Sequence, residues 1–78
     1  MSIIGESLES HKKNFGAMVK RMRRDKGLSQ LDLAVKCNLE KTAISRIENG
    51  RTNVTLKTIV LLSEALEIEL KDLFDYPE

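Results

Sequence analysis

The sequence predicts an all-α fold, a single small domain of five helices within 78 residues. Apolar residues recur at helical spacing, for example at Phe15, Val19 and Met22 of helix 1. Nothing alternates apolar and polar residues with a period of two over more than a few residues, as a half-buried strand would. Capping and helix-breaking residues separate the apolar segments, and the chain is too short for a second domain.

Helix 1 is predicted to begin near Ser10 or Lys12 and to end at Lys26, where the following glycine supplies a C-terminal cap. Residues 1–11 are predicted to be a flexible or short helical N-terminal extension. We expect the folded domain to span residues 12–76.

Residues 30–49, QLDLAVKCNLEKTAISRIEN, are the most informative stretch, because they predict two short helices joined by a tight turn. Ser29 is a suitable N-cap for helix 2, with acidic Asp32 three residues later. Asn38 occupies the turn, and Asn tolerates a left-handed backbone better than most residues. Helix 3 is predicted over residues 41–48. Leu33, Ala34 and Cys37 are assigned to the inner face of helix 2, Ile44 and Ile47 to that of helix 3, and Leu39 to the bend between them.

Thr55 is predicted to cap helix 4, which spans residues 56–66, and helix 5 is predicted over residues 70–75. Helix 4 is apolar almost all round, although one face suffices for the core of a monomer. The remaining apolar residues must therefore be exposed or paired with a second copy. The core residues assigned to these helices are Leu56, Ile59, Leu62 (or Ser63), Leu66, Leu70, Leu73 and Phe74.

The net charge is only +1, but the charges are unevenly distributed along the chain. Residues 12–51 carry eleven Lys and Arg against four acids, and residues 52–78 carry two Lys against six acids. One end of the domain is therefore basic and the other acidic, as expected if one face meets phosphates.

Helices 2 and 3 are short, and the second has a polar outer face. Two such helices form a helix-turn-helix, which usually places its second helix in the DNA major groove.

Other classes of function lack sequence support. The chain has no paired carboxylates, nucleophile motif or glycine-rich phosphate loop, so we expect no enzyme activity. His11 is expected at the surface and Cys37 in the core, which leaves no metal site, and no cofactor or small-molecule ligand is expected. No apolar run approaches the roughly 20 residues of a membrane span, and a reducing cytoplasm is the expected location.

From Phe15 to Phe74, about three-quarters of the chain, the sequence contains a set of marker residues: Phe15-Gly16, Arg23, Gly27-Leu28-Ser29-Gln30, Leu33-Ala34, Ile44-Ser45, Ile47-Glu48-Asn49-Gly50, Leu70 and Leu73-Phe74. With these markers the sequence resembles the lambda-repressor/Cro-like, or XRE-type, DNA-binding domains. The resemblance implies a five-helix lambda-repressor-like domain that binds operator DNA as a homodimer, with helices 2 and 3 as its helix-turn-helix.

Helix 3 is the expected recognition helix, and its outward face is expected to read DNA bases. Arg46 suits guanine O6 and N7 through its two-pronged guanidinium, and Lys41 suits them less specifically. Thr42 can donate, accept or offer its methyl group to thymine. Ser45 reaches either a base edge or a phosphate.

A second group of residues is expected to bind phosphates. Gln30 lies in the first turn of helix 2, and the resemblance implies that a Gln here binds a phosphate and braces the recognition helix. Asn49, Arg51 and Thr52 follow helix 3 and are expected to contact the other side of the same groove. Three further cations either contact phosphates or supply only long-range attraction: Lys20, Arg24 and Lys36.

The resemblance also implies a partly buried ion pair between Arg23 and Glu48, which ties helix 1 to the end of helix 3. We assign the two residues this structural role in preference to a DNA contact. The homodimer is expected to form through helices 4 and 5. Leu61 is the most informative interface residue, and the alternative is that it packs under the loop or under Ile3 and Ile4. The assigned interface comprises Val54, Val60, Leu61, Leu70 and Tyr76.

A free-standing domain of this size, with Leu39-Glu40-Lys41-Thr42 ahead of Ile44-Ser45, also resembles the controller proteins of restriction–modification systems. These activate or repress their own operon and the endonuclease gene. Phage repressors and antitoxins share every feature quoted above. The alternative function is therefore an antitoxin-type interaction module that masks a toxin, with a free acidic tail over residues 67–78 as its contact segment.

Overall fold

The computed structural model describes the backbone of residues 4–76 and the side chains of residues 7–76. Four α-helices are followed by a 3-10 helix, and the described residues contain no strand. The prediction of a small all-α domain is confirmed, but the predicted fifth helix is a single 3-10 segment. The helices are α1 (Ile4–Asp25), α2 (Gln30–Cys37), α3 (Lys41–Glu48) and α4 (Leu56–Leu66), and the 3-10 helix spans Leu70–Phe74.

Helix α1 is longer than predicted, because it begins at Ile4 and not near residue 10 or 12. It ends at Asp25, and Gly27 follows in the left-handed conformation with φ +72°, as a C-terminal cap requires. The side chains of Ile3 and Ile4, which offered an alternative contact for Leu61, lie outside the described residues.

The helix-turn-helix forms with the predicted Ser29 cap of α2 and the predicted bounds of α3. The Asp32 N–H donates to Ser29 Oγ at 3.0 Å, and the Ser29 N–H donates to Asp32 Oδ2 at 2.9 Å, which makes a reciprocal capping box. Asn38 adopts φ 56° and ψ 43° in the turn, so the left-handed conformation predicted there is confirmed. The Leu39 N–H then donates to the Ala34 carbonyl at 2.9 Å, which closes the turn.

One hydrophobic core joins all the helices. The predicted inner faces of α2 and α3 are buried, and so are Leu62, Ser63 and Leu66 of α4. Met22, Leu39 and Ile59 pack against the core but are only partly buried. The core cluster comprises Phe15, Val19, Leu33, Ala34, Cys37, Ile44, Ile47, Leu62, Leu66 and Leu73.

Three predicted core residues are exposed. Leu56, the first residue of α4, is 69% exposed. Helical spacing predicts the face of α4 on which Leu56 lies, but not whether another element covers that position. The 3-10 helix repeats every three residues, so Leu73 and Phe74 point in different directions. Leu73 is fully buried, whereas Phe74 is 47% and Leu70 39% exposed. Leu73 therefore anchors the acidic C-terminal segment to the domain. The acidic tail expected to be free over residues 67–78 is not free as far as Leu73.

Helices α1 and α3 approach closely at Gly16. A methyl group at Gly16 would collide with the carbonyl oxygen of Ile47 and would lie 2.9 Å from that of Glu48. Only glycine therefore allows the middle of α1 to rest on the C-terminal turn of α3.

Candidate nucleic-acid interface

Helix α3 presents a polar face to solvent and an apolar face to the core. Ile44 is completely buried and Ile47 almost so. Lys41, Thr42 and Arg46 are exposed, as their predicted outward positions require. Among residues 7–76, these three side chains take no ion pair or hydrogen bond, so their polar groups are available to a ligand.

Ser45 and Asn49 form a short polar ridge along the same helix. The Asn49 side-chain amide donates to the Ser45 carbonyl at 2.9 Å and to its hydroxyl oxygen at 3.4 Å. Ser45 is half-buried and Asn49 is exposed. The hydroxyl oxygen of Ser45 thus accepts from Asn49, and within residues 7–76 the hydroxyl donates no hydrogen bond of its own.

The end of α3 is closed by backbone hydrogen bonds around Gly50. The Gly50 N–H donates to the Ile47 carbonyl at 3.1 Å, and the Arg51 N–H donates to the Arg46 carbonyl at 2.9 Å. Gly50 has φ +68°, which side-chain-bearing residues rarely adopt. This closure leaves the Arg51 side chain exposed immediately beyond the helix, with Thr52 half-buried after it.

Arg23 and Glu48 form the ion pair that the resemblance implies. Arg23 Nε donates to Glu48 Oε2 at 2.7 Å, and Nη2 donates to Oε1 at 3.0 Å. Nη1 of Arg23 also donates to the Leu28 carbonyl at 2.7 Å. Both residues are buried, and the hydrogen bonds to Glu48 raise the pKa of Arg23 above its usual value. The pair therefore ties α1 to the last residue of α3.

Gln30 adds a third helix to this network. Its side-chain amide donates to Glu48 Oε1 at 3.1 Å, the same oxygen that accepts from Arg23. Gln30 is half-buried in the first turn of α2, beside that helix's free N–H groups. The sequence pattern did not reveal Glu48 as its partner.

The cations named as further phosphate contacts are dispersed. Lys20 is half-buried and Arg24 exposed on α1. Lys36 is exposed in the last turn of α2, where it borders a surface depression that also contacts Glu64 and Glu67 of α4. The structure therefore places Lys36 beside acidic residues and not beside Gln30, because the two lie six positions apart, near opposite ends of α2.

The residues assigned to a dimer interface differ in exposure. Val60 and Leu70 are both 39% exposed, whereas Val54, Leu61 and Tyr76 are partly buried and pack against the core. Leu61 thus buries part of its side chain against the core of the monomer. Sequence analysis missed Leu56 and Phe74 as surface residues, because it assigned both to the core.

An open apolar groove of about 170 Å³ continues this surface. It lies between the first turns of α1, the loop before α4 and the C-terminal segment. Its apolar lining residues are Leu8, Phe15, Val54, Ile59, Phe74 and Tyr76.

The part of the chain that the structure describes contains no helix long and apolar enough to cross a membrane. Those same residues contain no cluster of side chains able to hold a metal ion.

Comparison with known proteins places this geometry in a family. The helix-turn-helix family model matches residues 19–73. The chain is 44% identical over 63 residues to the control protein C.BamHI of Bacillus amyloliquefaciens, an alignment that covers 80% of this chain and 78% of that protein.

The structure is also similar to solved structures of controller proteins. The restriction–modification controller protein C.AhdI from Aeromonas hydrophila superposes with a TM-score of 0.82 at 37% identity, over 83% of this chain and 98% of that one. The controller protein C.Esp1396I, solved as a tetramer in complex with its natural 35 base-pair operator, superposes with a TM-score of 0.74 at 36% identity. That superposition covers 81% of this chain and 83% of that one.

Proposed function

Because this chain belongs to the helix-turn-helix family of XRE-type transcription regulators, we propose that it controls a restriction–modification operon by binding pseudo-palindromic operator DNA as a homodimer. Members of the family act by binding DNA and are not enzymes. The specific role is supported by the likeness to control and controller proteins over most of the lengths of both chains.

The observation that carries the proposal is the exposed polar face of α3 on a rigid support. Lys41, Thr42 and Arg46 have no partners among the described residues, while the end of the same helix is fixed by Arg23 and Gln30. A helix held in this way can enter the major groove without losing its orientation. Arg46 and Lys41 would then read guanine, and Thr42 and Ser45 would read neighbouring base edges.

Phosphate contacts would fix the register of that helix on the duplex. Gln30 would bind a phosphate at the N-terminus of α2, on one side of the groove. Asn49, Arg51 and Thr52 would contact the backbone on the other side. Lys36, which lies beside acids of α4, would add only long-range attraction.

Dimerisation would pair the apolar surface of α4 and the 3-10 helix about a two-fold axis. Val60 and Leu70 are its exposed members, and Leu56 and Phe74 extend it. Residues 12–76 would thus contain both the DNA-binding and the dimerisation surface. The two recognition helices would meet half-sites about one DNA turn, roughly 34 Å, apart.

Footprinting tests the function directly. The purified chain is bound to the DNA upstream of its own gene, with random duplex as competitor at one fixed salt concentration. We expect protection of pseudo-palindromic sites by the protein alone, with two copies bound to each site. Protection that required a second, co-purified protein would instead favour the antitoxin-type function.

A further inference from the structure

The side of α1 that faces the end of the recognition helix carries an exposed cation, Lys13. Lys13, Gly16, Lys20 and Arg23 follow one another at spacings of three and four residues, so they share one side of α1. Gly16 rests on the carbonyl groups at the end of α3, and Arg23 pairs with Glu48 of the same turn. This side of α1 therefore faces the C-terminal end of α3.

Lys13 is fixed in this position by Gly50. A methyl group at Gly50 would lie 2.9 Å from the Cα of Lys13 and 3.0 Å from its Cγ, so the two residues pack with no space for a side chain between them. Gly50 is buried, while Lys13 is exposed. The backbone and first methylene groups of Lys13 thus cover Gly50, and the ammonium end remains in solvent.

No neighbouring acid neutralises Lys13 within residues 7–76. Glu9, one turn earlier on α1, pairs with Lys12 at 2.9 Å. Glu48, at the end of α3, is held by Arg23. Arg51, the residue that follows Gly50, is also exposed, so two exposed cations neighbour one buried glycine.

We infer that Lys13 binds a DNA phosphate beside Arg51, as a residue of α1 that positions the end of the recognition helix against the sugar-phosphate backbone. This inference rests on the proposed function and adds a contact from a helix outside the helix-turn-helix. A Lys at such a site neutralises one phosphate and carries no information about base sequence.

The test compares Lys13→Gln with Lys12→Gln. Both variants lose one positive charge from adjacent positions of α1, but Lys12 borders the apolar groove and is paired with Glu9. Fluorescence anisotropy measures the affinity for the footprinted duplex and for a random duplex of equal length over a salt series. Circular dichroism and sedimentation establish that each variant is folded and dimeric.

For Lys13→Gln we expect the slope of log affinity against log salt to become shallower by about one unit, with the same fold-loss on both duplexes. Lys12→Gln should retain the wild-type slope. Equal slopes for Lys13→Gln and the wild type would overturn the inference, as would equal changes in both variants or a loss confined to the footprinted duplex. A wild-type protein that bound neither duplex would refute the proposed function itself, and with it this contact.

Discussion

The guanidinium of Arg23 and the carboxylate of Glu48 meet edge to edge, with Nε 2.7 Å from Oε2 and Nη2 3.0 Å from Oε1. This contact joins the first helix to the last residue of the recognition helix, 25 positions later in the chain. Gln30 donates to the same carboxylate from α2. Three helices therefore depend on one buried negative charge, and removal of either ionic partner should be costly.

We predict that Glu48→Gln lowers the free energy of unfolding by about 3 kcal/mol, because Arg23 would remain buried without a counter-charge. Urea unfolding followed by circular dichroism measures the change. The double variant Arg23→Met with Glu48→Met should recover much of the loss, since neither charge is then left alone. Wild-type stability in Glu48→Gln would show that the pair contributes little.

Gly16→Ala should destabilise the domain by about 2–3 kcal/mol, because the new methyl group collides with the backbone of α3. Gly27→Ala is the matched control: a methyl group there meets nothing within 4 Å, and only the left-handed conformation opposes it. That control should cost about 1 kcal/mol. If thermal unfolding gave the two variants equal stability, the close approach of α1 to α3 would not be rigid.

Arg46→Ala should cost about 1–3 kcal/mol of binding at one operator base pair and relax the preference there. The reason is that the exposed guanidinium lies on the outer face of α3 without a protein partner among the described residues. Competition between operator variants substituted at single positions measures this preference. If the ratio of the affinities for operator and random DNA were unchanged, Arg46 would not be a base-reading residue.

Val60→Glu should convert the dimer into a folded monomer at micromolar concentration, because it places a charge on the exposed apolar surface of α4. Val35→Glu is the control, since Val35 is 72% exposed on α2 and lies outside the proposed interface. Sedimentation velocity distinguishes the two states. If the Val60→Glu protein remained dimeric, the interface would lie on another surface of the domain.

The capping box of α2 should make stability depend on pH. The Ser29 N–H donates to the carboxylate of Asp32, which holds the pKa of Asp32 below its usual value. A group whose pKa is lowered by folding stabilises the protein at neutral pH, and this contribution is lost as the pH falls through the lowered pKa.

Asp32→Asn should therefore unfold at a lower temperature than the wild type at pH 7. The difference should shrink below about pH 4, the usual range of an aspartate, as the wild-type carboxylate becomes protonated. Calorimetry at several pH values measures the two melting temperatures. A difference that stayed constant down to pH 2 would exclude the carboxylate as its source.

Local signals sufficed to predict the start of α2 and the bounds of α3 and α4. Ser29 and Thr55 are side-chain caps, and Asn38 adopts the left-handed turn that its position indicated. These features depend on residues close in sequence, so a single sequence contains them.

Features that depend on distant parts of the chain were harder to predict. Leu56 and Phe74 have suitable spacing for a core, but whether another element covers them is a property of the assembled domain. The hydrogen bond from Gln30 to Glu48 spans 18 positions, and no local pattern encodes it. The sequence pattern did not single out Lys13, because its position is defined by the contact with Gly50, which is distant in sequence.

The recognition helix contains eight residues, fewer than an isolated helix needs to be stable in water. Its helical conformation is instead stabilised by contacts of its inner face, through the buried side chains of Ile44 and Ile47 and the paired carboxylate of Glu48. The exposed residues in front contribute little to folding, so they can be exchanged with small effect on stability. We therefore expect that substitution at Lys41, Thr42 and Arg46 alone can change the operator preference, and that libraries varied at these three positions yield mostly folded proteins.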